Sequence, residues 1–255
     1  MSNPSLPRRS VLLGGATLAG AALAAGRPTP AIAGDTPGPW AVELFTSQGC
    51  NSCPPADVNL GELARRPDIV ALSFHVDYWD YIGWKDPFAS RETTERQRAY
   101  ARVLRQRYVY TPEMVVDGIG HDAGRDLSPI RKLLAEAQKR SPRRATPELT
   151  RDGAGPLTIR LAGFALDGAM ADIALATYDR RSSTKIMNGE NGGRTLDNFN
   201  VVRRFEAVGP WDGAPRSWTM PGHSFGPGQG VAVLVQRADH GPMIGCNKLE
   251  FAVSG

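Results

Sequence analysis

No second Cys-x-x-Cys and no His-x₃-His occurs in this chain, whose 255 residues include only three cysteines and four histidines. A structural zinc site, which takes four such ligands, therefore finds no ligand set. An excess of charge of one sign is absent too. The formal net charge is +4, but residues 1–33 carry three arginines and no acid, which leaves +1 beyond them. That is no electrostatic footprint for nucleic acid. The apolar run Val11 to Ala25 spans about 15 residues, short of the roughly 20 that cross a bilayer, so no retained membrane span is expected. Internal repeats and low-complexity segments are missing from residue 34 onward.

The short apolar run has another reading. Arg8 and Arg9 precede it, and Ala31-Ile32-Ala33 offers a small-x-small cleavage site, the pattern of a signal peptide over residues 1–33. The arginine pair also resembles a twin-arginine export signal, although Pro7 stands where Ser or Thr is usual. An ordinary secretory signal is the alternative. The expected location is periplasmic or secreted, where exposed thiols tend to pair. An odd number of cysteines leaves one over, and that one is expected to be buried or modified.

Apolar patterning predicts a strand at 41–47, a helix at 56–66 stopped by Pro67, and a strand at 69–76. This is a β-α-β unit, which makes parallel strands. A long helix follows at about 89–108, with Ser90 as a candidate cap. Its arginines, Arg91, Arg96, Arg98, Arg102, Arg105 and Arg107, read as a solvated face. A short strand and turn at 114–118 and a helix at 128–140 complete this part. Residues 141–147 read as a linker. Beyond it, only strand-like alternation remains, at 157–161, 170–178, 201–207, 231–237 and 243–253. The expected organisation is an α/β domain at 34–145 and a small antiparallel β-sandwich-like domain at 146–255.

Cys50-Asn51-Ser52-Cys53-Pro54-Pro55 lies at the end of the first buried strand and opens the first helix. The first amides of a helix lack intrahelical partners, and the helix dipole adds positive charge there. A thiolate at Cys50 is favoured by both, and Cys53, one turn on, can approach it closely enough to bond. Pro54 and Pro55 lack amides that would be unpaired anyway, leaving those of Ser52 and Cys53 to face the sulfur. His75 and Asp77 end the second strand, at the sheet edge where ligands collect, and are candidate accessory residues. Tyr78, Trp79, Tyr81, Trp84 and Phe88 read as core packing between the long helix and the sheet.

Thr111-Pro112 leads straight into a later strand. In thioredoxin-like proteins, a cis-proline preceded by Thr begins the third core strand and faces the cysteines, and this chain resembles them in that order of motifs. The resemblance implies that Pro112 is cis and that Thr111 offers its backbone to a substrate. It also implies that Glu43, on the strand leading to the cysteines, relays a proton to Cys53. Val42 to Ser47, Cys53 to Asp57, His75 to Tyr81, Gly83 to Phe88, Thr111-Pro112 and Val116-Asp117-Gly118 together resemble the exported bacterial family called domain of unknown function 1223. Gly189 to Leu196, with Asn200 to Arg203, resembles its C-terminal part. That loop reads as a hairpin in which Glu190 and Arg194 pair, in contact with the first domain.

The reading that follows is a thiol-disulfide oxidoreductase. Cys50 attacks, Cys53 resolves, Glu43 assists, Thr111 and Pro112 hold a protein or peptide thiol or disulfide, and neither cofactor nor metal is required. The alternatives are a non-catalytic binding protein with a structural disulfide, and a Cu(I) chaperone using both thiolates.

Overall fold

Strand β1 (Trp40–Thr46) is buried at every position, as is the parallel strand β2 (Ile69–His75) beside it. Both are near-continuous apolar runs, the pattern of strands covered on two faces. Helix α1 (Pro54–Ala64) crosses between them and starts on two prolines, two residues earlier than the apolar pattern predicts. Its φ-restrained prolines suit the first turn, where no amide is needed. Helix α2 (Arg91–Val103) is capped by Ser90, whose side chain accepts from the Thr93 amide. Strands β3 (Glu113–Val116) and β4 (Gly120–Asp122) form an antiparallel pair, β3 lies antiparallel to β1, and helix α3 (Leu127–Arg140) follows. This computed structural model describes residues 38–222 and 225–252 together with Met1 and Ser2, so the expected signal peptide at 1–33 lies outside the described residues apart from those two.

Alternation along β1 sorts its neighbours. Trp40, Val42 and Leu44 pack with Leu60 and Leu63 of α1 and Ile130 and Leu134 of α3. Ala41 and Phe45 face the other way, onto Tyr100 of α2. The sheet is thus covered by α1 and α3 on one face and by α2 on the other.

The strands after residue 145 do not form a separate sandwich. Four of them, β7 (Ala171–Lys185), β8 (Thr195–Trp211), β10 (Gln229–Arg237) and β11 (Met243–Glu250), extend the first sheet. The order is β11-β10-β7-β8-β2-β1-β3-β4. β5 (Glu148–Arg151), β6 (Leu157–Leu161) and β9 (Arg216–Met220) make a second, three-stranded sheet whose Leu157, Ile159 and Leu161 pack on Ile173, Leu175 and Val233 of the large one. Sheet-on-sheet packing is present, but one layer is shared with the α/β part, and the described residues from 38 onward belong to one compact unit. The expected boundary at 145 is corrected accordingly. The physical reason is the edge of β2: left unpaired, a buried strand would carry unsatisfied backbone groups.

The β2–β8 junction is short, with Ser73 opposite Val201. Asn200 extends it. It sits at φ 47°, and its side-chain amide donates to the Ala71 carbonyl at 2.8 Å. Asn200→Ala removes this donor and leaves a buried carbonyl unpaired. The expected loss is about 1–3 kcal/mol, read as a lower urea midpoint with unchanged slope.

Candidate functional site

The turn between β1 and α1 is built on hydrogen bonds that fold it back on itself. The Cys50 amide donates to the Ser47 carbonyl at 3.2 Å, and the Cys53 amide donates to the Cys50 carbonyl at 3.3 Å. Cys50 and Cys53 are joined as a disulfide, with their Cα atoms 5.5 Å apart. Cys53 is the cap residue of α1. Its amide was expected to face the sulfur, but the turn uses it. The Ser52 hydroxyl lies 3.3 Å from the Cys50 sulfur.

Both cysteines are fully buried, at 0% exposure. One cover is the segment after β2. A Cβ placed on Gly49 would meet Trp79 and Ile82 at 3.4 and 3.3 Å, so those residues lie directly against the turn. The other cover is the loop joining β7 and β8. Its Asn191, itself fully buried, donates from the side-chain amide to the carbonyls of Gln48 at 2.9 Å and Cys50 at 3.0 Å. Glu190 accepts from the Asn51 amide at 3.2 Å. Arg194, expected to pair with Glu190, instead donates to the Asn191 side chain at 2.6 Å.

Gln48 ties these pieces together. Its backbone amide donates to Asp86 at 2.8 Å, and its side-chain amide donates to Asn198 of β8 at 3.0 Å. Its side-chain oxygen accepts from Trp84 at 3.2 Å. These partners come from two segments remote from Gln48, the stretch after β2 and strand β8.

Beneath the turn lies a buried cluster of titratable groups. His75 and Asp86 form an ion pair through Nδ1 at 2.7 Å, with both side chains wholly buried. Burial opposes the charged imidazolium, but the Asp86 charge and hydrogen bond outweigh it and hold the His75 pKa above its ordinary value. Burial likewise opposes the Asp86 carboxylate, yet His75 and the amides of Gln48 and Phe88 keep its pKa below the usual range. Asp57 sits in the first turn of α1, four residues after Cys53 and hence on the same helix face. Burial pushes its pKa up to about 7, only partly offset by His75, Thr46 and Asn198. Its hydroxyl donor Thr46 is 3.3 Å away. Asp57 Oδ1 and His75 Nε2 are buried without a hydrogen-bond partner among the described residues.

The other expected site residues divide. The Thr111–Pro112 bond is cis. Thr111 accepts from the Trp79 indole at 2.7 Å, which links that turn to the cover over the cysteines. Asp77 is drawn to α2 instead, accepting from the Thr94 hydroxyl at 2.6 Å. Glu43 is on the wrong face of the sheet for Cys53. It points toward α2, where Arg96 binds both its oxygens at 2.6 and 2.9 Å and Tyr100 donates at 2.5 Å. Strand alternation decides this: Val42 and Leu44 share a face with α1, so Glu43 cannot. Arg96 is correspondingly buried and not part of a solvated face. Cys246 is buried and unbonded to another cysteine, its thiol donating to the Pro39 carbonyl at 3.1 Å, and burial pushes its pKa up to about 12.

The residues the sequence did not single out are Asp57, Asp86, Gln48, Asn191 and Asn198. One had a visible signal. Asp57 falls in the stripe Cys53, Ala56, Leu60, Leu63 that helical spacing turns inward, where a lone carboxylate is unusual.

Asp57 has a consequence for stability. With a folded-state pKa of about 7, the native protein holds a proton that the unfolded chain has released from about pH 4 upward. Stability therefore falls as pH rises between those values. Asp57→Asn removes the cost of the buried charge. It is expected to exceed the wild type by on the order of 4 kcal/mol at about pH 8 and to lose that advantage near pH 4. Urea unfolding of the oxidised protein at the two pH values reads the difference.

Comparison with known proteins adds relatives. A family model described as "Protein of unknown function (DUF1223)" matches residues 41–236. A crystal structure of a protein from Agrobacterium tumefaciens, solved as a structural-genomics target, is similar with a TM-score of 0.72 and 31% identity, over 86% of this chain and 96% of that one. No curated protein matches the chain.

Proposed function

The chain belongs to the DUF1223 family, and on that premise we propose that it is a thioredoxin-like thiol-disulfide oxidoreductase of the periplasm or extracellular space. The observation that carries the reading is the Cys50–Cys53 disulfide at the start of α1, with a protonatable carboxyl, Asp57, one turn below it. The strand order β2-β1-β3-β4, the helices on its two faces and the cis bond before β3 support the thioredoxin-like assignment. The export signal read at residues 1–33 and a disulfide suited to an oxidising compartment support the location.

In this reading a substrate thiolate attacks Cys50 Sγ. The disulfide breaks, Cys53 leaves as a thiolate, and a mixed disulfide joins Cys50 to the substrate. The second substrate thiolate then displaces Cys50. Two electrons pass to the protein and the substrate becomes a disulfide. The reverse sequence reduces a substrate. Asp57, rather than Glu43, supplies the proton that the Cys53 thiolate takes up, since it shares the helix face of Cys53 and is half protonated near pH 7. Thr111 and Pro112 form the edge against which a peptide partner lies.

Cys53→Ala leaves Cys50 as a thiol that attacks a peptide disulfide and releases one peptide thiolate, so it is expected to accumulate the mixed disulfide that Cys53 would otherwise resolve, read by non-reducing electrophoresis and mass spectrometry. Absence of any adduct would sink the reading.

One observation favours a second reading. Sulfurs with no exposed surface suit a structural staple in a non-catalytic binding protein. The reduction potential separates the two. A redox-active pair is expected above about −300 mV, whereas a value below it is the mark of a staple. Equilibration with glutathione and dithiothreitol buffers measures it.

A further inference from the structure

We propose that the loop between β7 and β8 is a latch that controls access to the Cys50–Cys53 disulfide, with Asn191 as the positioning residue that holds it shut. The inference rests on the exchange reading above and adds its regulation.

Three facts converge on the loop. The sulfurs are sealed, at 0% exposure, and the loop fastens to the carbonyl of Cys50 itself, which makes it one of the covers that an incoming thiolate must displace. The loop is fastened by a small set of contacts: Asn191 to the Gln48 and Cys50 carbonyls, and Glu190 to the Asn51 amide. Around those contacts it is open to solvent, since Met187, Asn188, Gly189 and Glu190 are exposed, as are Gly192, Gly193 and Arg194. Such a segment, anchored by the buried side chains of Ile186 at its start and Asn191 in its middle and solvated between and beyond them, can open locally without unfolding the sheet. The loop backbone is built to turn there, with Gly189 at φ 73° and Gly193 at φ 83°.

The contacts also have a chemical meaning. Opening the loop frees the Gln48 carbonyl, the Asn51 amide and the second acceptor position of the Cys50 carbonyl, whose first is used by the Cys53 amide. An extended peptide offers the complementary donors and acceptors, so a peptide partner can replace the latch as it binds. A small thiol cannot, and must wait for spontaneous opening. The latch therefore slows small-molecule thiols without changing the chemistry of the sulfur pair.

Reduction by dithiothreitol tests this. A dithiothreitol thiolate attacks Cys50 Sγ, Cys53 departs and takes a proton, and the second dithiothreitol thiol closes a cyclic disulfide, releasing Cys50. Two electrons and two protons pass from dithiothreitol to the protein. Loss of two buried hydrogen bonds in Asn191→Ala is expected to raise the reduction rate at least tenfold, while the equilibrium constant with dithiothreitol stays within about twofold of the wild type. Glu190→Ala, at an exposed residue that the fold does not depend on, is expected to raise the rate about threefold. It keeps the test valid if Asn191→Ala fails to fold. Unchanged rates in folded variants overturn the latch. So does a rate change matched by an equal change in the equilibrium constant, because the loop would then stabilise the oxidised form and not gate it. The exchange reading is tested separately by adding Cys53→Ala to the Asn191→Ala background. Fast reduction of the single variant with no peptide adduct in the double one keeps the latch and sinks the oxidoreductase.

Discussion

The pairing of β8 with the outer edge of β2 is the constraint on which the rest of the molecule turns. β2 is buried along its whole length, so its edge must be covered from inside the same chain. β8 does this through a short ladder and the Asn200 side chain. Once β8 lies there, the hairpin that precedes it delivers residues 187–194 to the end of the sheet where the cysteine turn emerges. Asn198, on the same strand, reaches Gln48. One edge contact thus completes the sheet, covers the disulfide and closes the polar network around it.

Electrostatics around the turn separates two kinds of buried charge. Glu43–Arg96 on the α2 face is saturated, with Tyr100 and Gln236 completing its hydrogen bonds. It is a structural pair, costly to break from one side and inert otherwise. The α1 face is different. His75 and Asp86 satisfy each other through one edge of the imidazole, while the other edge and one oxygen of Asp57 lack hydrogen-bond partners among the described residues. An incompletely satisfied cluster at the end of parallel strands is where proton chemistry is most readily accommodated. It is also why Asp57 holds its proton to neutral pH, since nothing near it fully offsets the loss of water.

Much of this was legible along the chain. The βαβ order, the cysteine pair at a helix start, Ser90 as a cap and the turn before β3 each follow from neighbours a few residues apart, where spacing and φ/ψ preference are decisive. Glu43 was misplaced because its role came from a resemblance, whereas the alternation of Val42, Glu43 and Leu44 already assigned it to the other face. The long strands β7 and β8 were read as shorter than they are, and β5 and β9 were not seen, because strand alternation fades where both faces are half-buried. The two-domain division came from the same limit: composition changes near residue 145, but composition does not reveal which edge a strand will join.

What the sequence by itself determined is local: where helices start, which cysteines can bond, and which carboxylate falls on a buried helix face. Only the tertiary structure decided whether those sulfurs meet solvent. The answer lies in Asn191, 143 residues from the carbonyl of Gln48 that it binds, and no periodicity or motif spacing spans that distance. Hydrogen bonds between remote segments depend on how the sheet edges pair, and that pairing is settled by the whole core at once.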